Sequence, residues 1–119
     1  FIRIEDPFFL YVEALVEQND LTTAKTTLED FMQNYRDPSY TLTATTQAAM
    51  REEVRTQRRI ELWGEGNSFF DFKRWGLGAN RTQAGSNHVY AIDVPAGDRR
   101  WVYQIPISEI EANPNMVQN

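Results

Sequence analysis

The 119-residue chain contains no cysteine, a single histidine and a formal net charge of −5. Disulfides, thiolate zinc sites, iron–sulfur clusters and cysteine nucleophiles are therefore excluded, and one histidine cannot supply a multi-histidine metal site. The length fits one domain, and 41% hydrophobic with 13% aromatic residues is not the composition of a disordered chain. We expect a folded domain that holds no metal and no cofactor.

Positive and negative charges are interleaved along the chain. Residues 1–50 contain three basic and eight acidic side chains, and residues 51–100 contain nine and seven. Nucleic-acid binding needs a clustered positive surface, which this alternation does not provide. No apolar run approaches the roughly 20 residues that a membrane-spanning helix needs. The sequence therefore predicts neither a nucleic-acid partner nor a transmembrane segment.

The pattern of the first third predicts a helical hairpin over about residues 7–36. Apolar residues recur at three- and four-residue steps on both sides of a short polar break. Pro7 suits a first helical turn, and Asp20 after the break is a candidate N-cap for the second helix. Two amphipathic helices joined by so short a turn must pack antiparallel.

Two further helices are predicted over about residues 45–76. The first begins near residues 43–46 and continues to about Trp63, and the second begins at Asn67 or Ser68 and ends before Gly76. Residues 77–107 read as a loop with two short strands, 88–94 and 101–105, on either side of a turn at 95–98. Residues 108–119 form an irregular tail. The expected fold is mainly α, with a loop-rich C-terminal part that contains a short β-hairpin.

Glu61 is an anomaly in the third helix, because helical spacing places it on the apolar face with Met50 and Val54. Arg58 lies one turn before it and Glu65 one turn after. A buried carboxylate is costly unless arginine or backbone donors hold it. One hypothesis pairs Glu61 with Glu65 or Asp71 as glycosidase-type carboxylates. The favoured alternative is a structural salt-bridge network formed by Arg58, Glu61, Glu65 and Asp71.

Aromatic residues in the C-terminal half are candidates for ligand contact. Phe69, Phe72 and Trp75 lie at helical spacing, which is more typical of a core than of a stacking surface. The long polar segment after Gly76 is typical of a binding loop, although a loop packed by its own aromatic residues is the competing interpretation. Its rings can lie against a sugar face while their polar edges form hydrogen bonds. We predict Tyr90 and Trp101 as ligand-binding residues.

Three motifs in this order resemble the C-terminal signature of the SusD/RagB family. Residues 58–62 read Arg-Arg-Ile-Glu-Leu, and a Glu-Gly pair and a helix with the pattern aromatic-Asp-aromatic-basic-Arg-Trp follow up to residue 75. Residues 1–15 resemble the family's hydrophobic-Arg-hydrophobic-acidic helix start. Residues 103–119 resemble its closing Ile-Pro-x-x-Glu-Ile and Asn-Pro segments. The chain departs from the family pattern at Trp63-Gly64 and at Ser68.

The resemblance implies an α-helical protein with tetratricopeptide-like helix pairs that binds glycans or other nutrients without catalysis. It also implies a lipid-anchored position at the surface of the bacterial outer membrane, and a SusC-like TonB-dependent transporter as partner. Residues 1–119 would then be the C-terminal region of a larger protein, with the lipid anchor outside this chain. Two alternatives remain: a generic helical-repeat module that binds another protein, and a fragment of a glycoside hydrolase that uses Glu61 and Glu65.

Overall fold

The computed structural model describes residues 3–82, 87 and 89–119. The chain divides into two compact units, Phe1–Gly66 and Asn67–Asn119. The first unit contains three helices: α1 (Glu5–Glu17), α2 (Leu21–Tyr35) and α3 (Gln47–Glu61). The second contains α4 (Asn67–Arg74), β1 (Ala79–Asn80), β2 (Asp93–Val94), a 3-10 turn (Arg99–Trp101) and α5 (Ile107–Ala112). The prediction of a mainly α fold with a small β-hairpin is confirmed.

Short polar side chains begin two of the helices in the first unit. The Asp20 carboxylate accepts a hydrogen bond from the Thr23 N–H at 3.2 Å, as its predicted role as N-cap requires. The Thr46 hydroxyl accepts one from the Ala49 N–H at 3.2 Å and begins α3. Asn19 has a φ of 61° in the turn before α2, a conformation that asparagine tolerates better than most residues. These local preferences fix where the chain reverses.

Helix α1 packs between two antiparallel neighbours. Phe8, near its start, stacks on Phe31, near the end of α2, with ring centroids 4.4 Å apart. Arg51 of α3 bonds Glu17, at the end of α1, so α3 also runs antiparallel to α1. The core consists of side chains from all three helices and the segment between α2 and α3: Phe9, Val12, Val16, Ala24, Leu28, Met32, Leu42, Met50 and Val54.

The predicted strand over residues 101–105 is wrong. Trp101 ends a 3-10 turn instead, because the Asp98 carboxylate caps that turn by accepting from the Arg100 N–H at 2.8 Å. After this turn, the Tyr103 carbonyl accepts a hydrogen bond from the Asn119 side-chain amide at 3.1 Å instead of one from a neighbouring strand. The two strands that form are β1 and β2, in antiparallel register with Ala79 opposite Val94.

The predicted strand over residues 88–94 is present only at its C-terminal end. β2 occupies Asp93–Val94, and the Ile92 carbonyl accepts from the Arg81 N–H at 2.7 Å just beyond the pair of strands. His88, at the start of that prediction, lies outside the described residues. In the part of the chain that is described, none of the helices combines the length and apolar character needed to cross a membrane.

Candidate functional site

The carboxylate of Glu61 is held by two arginines from distant parts of the first unit. Arg36, which follows α2, donates to both carboxylate oxygens at 2.7 Å. Arg3, which precedes α1, donates to Oε1 at 2.5 Å. Only 12% of the Glu61 side chain is exposed, so these bonds replace water that the carboxylate has lost. Two arginines therefore compensate the negative charge on the apolar face of α3.

Glu5 completes a closed ring of alternating charges with these residues. It pairs with Arg3 at 3.1 Å and with Arg36 at 3.2 Å, so each carboxylate meets both guanidinium groups. We call Arg3, Glu5, Arg36 and Glu61 the arginine–carboxylate ring. It joins the chain before α1, the first turn of α1 and the C-terminal ends of α2 and α3. Arg3 extends the ring to Glu65 through a bond of 2.6 Å.

The ring keeps its carboxylates ionised. The hydrogen bonds from Arg36, and next from Arg3, lower the pKa of Glu61 below its usual value of 4.5, although burial acts in the opposite direction. The hydrogen bond from Arg3 is the main reason that the pKa of Glu5 is also lowered. A general acid in glycoside hydrolysis needs a raised pKa so that it carries a proton at neutral pH. Glu61 therefore has the wrong protonation behaviour for that role.

The other two residues of the predicted network form ion pairs of their own. Arg58 is buried in α3, where its guanidinium lies 2.7 Å from the Asp6 carboxylate and donates to the Asp6 carbonyl at 3.1 Å. Asp71 is buried in the second unit, where Arg74 Nε donates to it at 2.9 Å. The structure thus brings Glu61 and Glu65 together through Arg3 and connects Arg58 to the first turn of α1.

An aromatic cluster in the second unit surrounds Trp101. Its indole ring lies 6.0 Å from the Phe72 ring, at an interplanar angle of 20°, and 5.6 Å from the Phe69 ring. Tyr103 stands 5.1 Å from Phe69 on the same cluster. The Trp101 N–H donates to the Pro95 carbonyl at 2.9 Å, which fixes the ring relative to the turn before it. Two of the three phenylalanines of α4, Phe69 and Phe72, thus contribute to the packing around Trp101, and the third, Phe70, is exposed.

A cleft of about 140 Å³ opens beside the Trp101 ring. Phe72 and Leu77 form apolar walls, and Lys73 and Asp98 contribute the charged groups of its lining. Asp98 is ionised, because the hydrogen bond from the Arg100 side chain holds its pKa far below the usual range. A flat indole ring beside a cation and an anion can accommodate a polar ligand with an apolar face.

Tyr90 lies on the surface of the same unit, and its side chain is 76% exposed. Trp101 is half-buried by the cluster described above. The two predicted ligand-binding residues therefore differ in what they offer a ligand: Tyr90 presents most of its ring, whereas Trp101 presents one wall of a small cleft. Among the described residues, no group of His, Asp or Glu side chains is arranged to hold a metal ion.

The family model of the SusD family matches residues 1–119, the whole chain. The chain belongs to the SusD family. Neither a curated protein nor a solved structure matches it, so the assignment depends on the family model. Membership implies binding of glycans or other nutrients at the cell surface, and SusD family members are in general non-catalytic, outer-membrane-associated lipoproteins that work with SusC-like transporters.

The SusD-family signature gives the ring a sequence context. Arg3 and Glu61 come from two of the three motifs that resemble the family, and they meet across 58 residues of chain. Sequence reasoning missed Arg3 and Arg36 as the partners of Glu61, and Glu5 as the second carboxylate that these arginines share. The Arg in the hydrophobic-Arg-hydrophobic-acidic motif was a usable signal for Arg3, because an arginine between apolar residues needs a carboxylate partner. Arg36 had no comparable signal.

Proposed function

We propose that this SusD-family chain binds glycans at the outer-membrane surface, without catalysis, and delivers them to a SusC-like TonB-dependent transporter. The match of the family model to the whole chain carries this proposal. In the same proposal the chain is the C-terminal region of a larger, lipid-anchored protein, with α1 and α2 as a tetratricopeptide-like pair.

The chemistry of the carboxylates supports a binding role over glycoside hydrolysis. Hydrolysis needs one carboxyl group that carries a proton and a second that acts as base or nucleophile. Two arginines share Glu61 and lower its pKa, so it is not set up to donate a proton, and Glu65 is bonded to one of the same arginines. In this chain Glu61 and Glu65, the two carboxylates that the hydrolase hypothesis would use, form ion pairs that connect helix ends.

We propose Tyr90 and Trp101 as ligand contacts in the second unit. The cleft beside Trp101 supplies an aromatic wall with Lys73 and Asp98 at its lining, and Tyr90 supplies an exposed ring on the same unit. Sugar rings combine apolar C–H faces with hydroxyl edges, so aromatic walls with polar groups nearby suit them. The site would hold the ligand by stacking and hydrogen bonds alone.

Replacing Tyr90 or Trp101 with alanine in the intact protein is expected to weaken glycan binding about tenfold, since truncating an aromatic anchor removes most of its contact area. The ligand is first chosen by affinity electrophoresis of the native protein on a panel of soluble polysaccharides, and its dissociation constant is then measured by calorimetry. Tyr11→Ala is the matched control, because Tyr11 is an exposed aromatic residue of α1 in the first unit.

Trp101 needs a second variant because its ring also packs on α4. Trp101→Phe keeps an aromatic ring against Phe69 and Phe72 but loses the N–H bond to the Pro95 carbonyl. Unchanged affinity in Trp101→Ala, together with a lower melting temperature, would make Trp101 a core residue and contradict its binding role. Unchanged affinity in Tyr90→Ala would likewise remove Tyr90 from the site.

A second candidate function is a helical-repeat module that binds another protein. Ile4, Leu10 and Tyr11 favour it, because these apolar side chains of the α1 region are exposed in the first unit. The two functions predict different results for Tyr11→Ala. A protein-binding module would lose its partner and keep any glycan affinity, whereas a nutrient-binding protein with its site around Trp101 would be unaffected in glycan binding.

A further inference from the structure

A surface groove between α1 and α2 has the features of a ligand site, and its residues belong to the first unit, whereas Tyr90 and Trp101 belong to the second. Two adjoining clefts, of about 440 and 410 Å³, share the aromatic residues Phe8, Phe31 and Tyr35. Each volume falls within the range of about 300–1,000 Å³ that is typical of small-molecule sites. We call these three residues and the polar side chains around them the α1–α2 groove.

The aromatic part of the groove is continuous and partly open to solvent. Phe31 stacks on Phe8 at a centroid distance of 4.4 Å, and its other neighbour, Tyr35, lies 5.8 Å away. Phe8 and Phe31 are half-buried against the core, whereas Tyr35 is 70% exposed. Phe8 and Phe31 therefore form a fixed apolar floor, and the accessible ring of Tyr35 lies at the C-terminal end of α2.

Polar groups line the groove on both sides of this floor. Glu5 and Arg36 line one cleft, and Thr27, Asp30 and Asn34 line the other. Asn34 donates its side-chain N–H to the Asp30 carbonyl at 2.7 Å, which orients the amide and leaves its oxygen as an acceptor. Donors and acceptors on both sides of an aromatic strip match the alternating hydroxyls and C–H faces of a sugar ring.

One side of the groove is held in place before any ligand arrives. Arg36 and Glu5 belong to the arginine–carboxylate ring, and the Arg36 guanidinium lies 5.0 Å from the centre of the Phe31 ring. A side chain fixed by several partners loses little additional conformational entropy when a ligand binds. The guanidinium and the carboxylate are therefore held rigidly at the edge of the groove, with most of their hydrogen-bonding capacity used within the ring and on the Tyr35 carbonyl.

We infer that the α1–α2 groove is a second glycan-binding surface, separate from the region of Tyr90 and Trp101. The inference takes its ligand class from the proposed function, and the geometry supplies the location. A partner protein helix is the competing occupant. Ile4, which is 79% exposed, also lines one of the clefts. The groove nevertheless favours a sugar, because the surface common to both clefts is aromatic and charged or amide side chains line both of them.

The test uses the intact protein and a fixed panel of probes: maltohexaose, cellohexaose, xylohexaose and mannohexaose. Dissociation constants are measured by calorimetry for the native protein, Tyr35→Ala, Asn34→Ala and the control Tyr11→Ala. We expect Tyr35→Ala to bind the best probe about tenfold more weakly and Asn34→Ala several-fold more weakly, with Tyr11→Ala unchanged. Because Tyr35 is largely exposed, its loss is expected to leave the melting temperature within a few degrees of native.

Three outcomes would overturn the inference, and they separate it from the proposed function. If the native protein binds a probe and Tyr35→Ala binds it equally well, the groove is not a glycan site and the proposed function stands. If Tyr35→Ala lowers the melting temperature but not the affinity, Tyr35 stabilises the packing of α1 and α2 and is not a ligand contact. If the native protein binds no glycan in this panel or in the polysaccharide screen, both proposals fail.

Discussion

Replacing Glu61 with glutamine is expected to lower the free energy of unfolding by about 2 kcal/mol at neutral pH. The substitution preserves the shape of the side chain but removes the charge that Arg3 and Arg36 share. Glutamine keeps one oxygen, which can still accept from Arg3 and from Arg36 Nη2, but Arg36 Nε–H then faces an amide NH2 group instead of an acceptor. Since 41% of the Arg3 side chain and 34% of the Arg36 side chain are exposed, water screens part of the loss. This keeps the effect below the roughly 3–5 kcal/mol that breaking a fully buried ion pair costs.

The measurement is urea denaturation, with Glu17→Gln as the matched control. Glu17 also accepts two bonds from one arginine, Arg51, at 2.6 and 2.7 Å, but its side chain is 46% exposed. Such surface pairs contribute about 0–1 kcal/mol. A Glu61→Gln variant as stable as Glu17→Gln would show that closing the ring adds nothing beyond ordinary surface pairs.

The cost of Glu61→Gln should depend on pH in a direction set by the pKa of Glu61. Folding lowers that pKa, chiefly through the hydrogen bond from Arg36, so the folded protein favours the ionised form. The stabilisation is complete above the ordinary carboxyl pKa of 4.5 and is lost as the pH falls through the lower pKa of the folded protein. Native and variant proteins should therefore converge in stability in acid. A difference that stays constant from pH 7 to pH 3 would contradict an electrostatic origin.

Helical phase was sufficient to identify Glu61 as unusual, but not to find its partners. The predicted network paired it with Arg58, one turn away on the same helix. The structure supplies Arg36 and Arg3 instead, which are separated from Glu61 by 25 and 58 residues. Which arginine reaches a carboxylate depends on how three helices pack, and periodicity within one helix carries no information about that packing. The same limit applies to Phe8, Phe31 and Tyr35: the antiparallel hairpin was predicted, but not which side chains of α1 and α2 would meet to form the groove.

The C-terminal part shows a different limit of sequence-based prediction. Its residues have the alternation of a strand, but local side-chain hydrogen bonds stabilise a different backbone conformation. Trp101, Tyr103 and Ile105 alternate as a strand would, and β-propensity favours them. Asp98 nevertheless caps a 3-10 turn just before them, and the Asn119 amide occupies the backbone that a neighbouring strand would need. Helix bounds were easier to predict, since Asp20 and Thr46 mark them with side-chain caps that act within three residues.

Gly78→Ala tests whether the strand pair positions the region around Trp101. A methyl group at Gly78 would lie 2.6 Å from the Val94 carbonyl oxygen and 3.0 Å from the Ala96 nitrogen. Both are backbone atoms, so no side chain can rotate away and β1 must separate from β2. We expect a loss of about 2–3 kcal/mol, similar to severe overpacking of a core. Hydrogen exchange at the Arg81 N–H, which bonds the Ile92 carbonyl at 2.7 Å, reports the separation directly.

Gly76→Ala is the control for Gly78→Ala. It lies two residues earlier, and its free-energy cost comes from backbone strain alone and not from a steric clash. Gly76 has a φ of 64° and no atom within 4 Å of an added methyl group, so alanine there meets only backbone strain of about 1–2 kcal/mol. The strand pair leads directly into the turn at Pro95, whose carbonyl holds the Trp101 indole. Gly78→Ala should therefore also weaken binding at the Trp101 cleft, whereas Gly76→Ala should not increase exchange at Arg81. Equal exchange in the two variants would mean that the close approach at Gly78 does not hold the strands together.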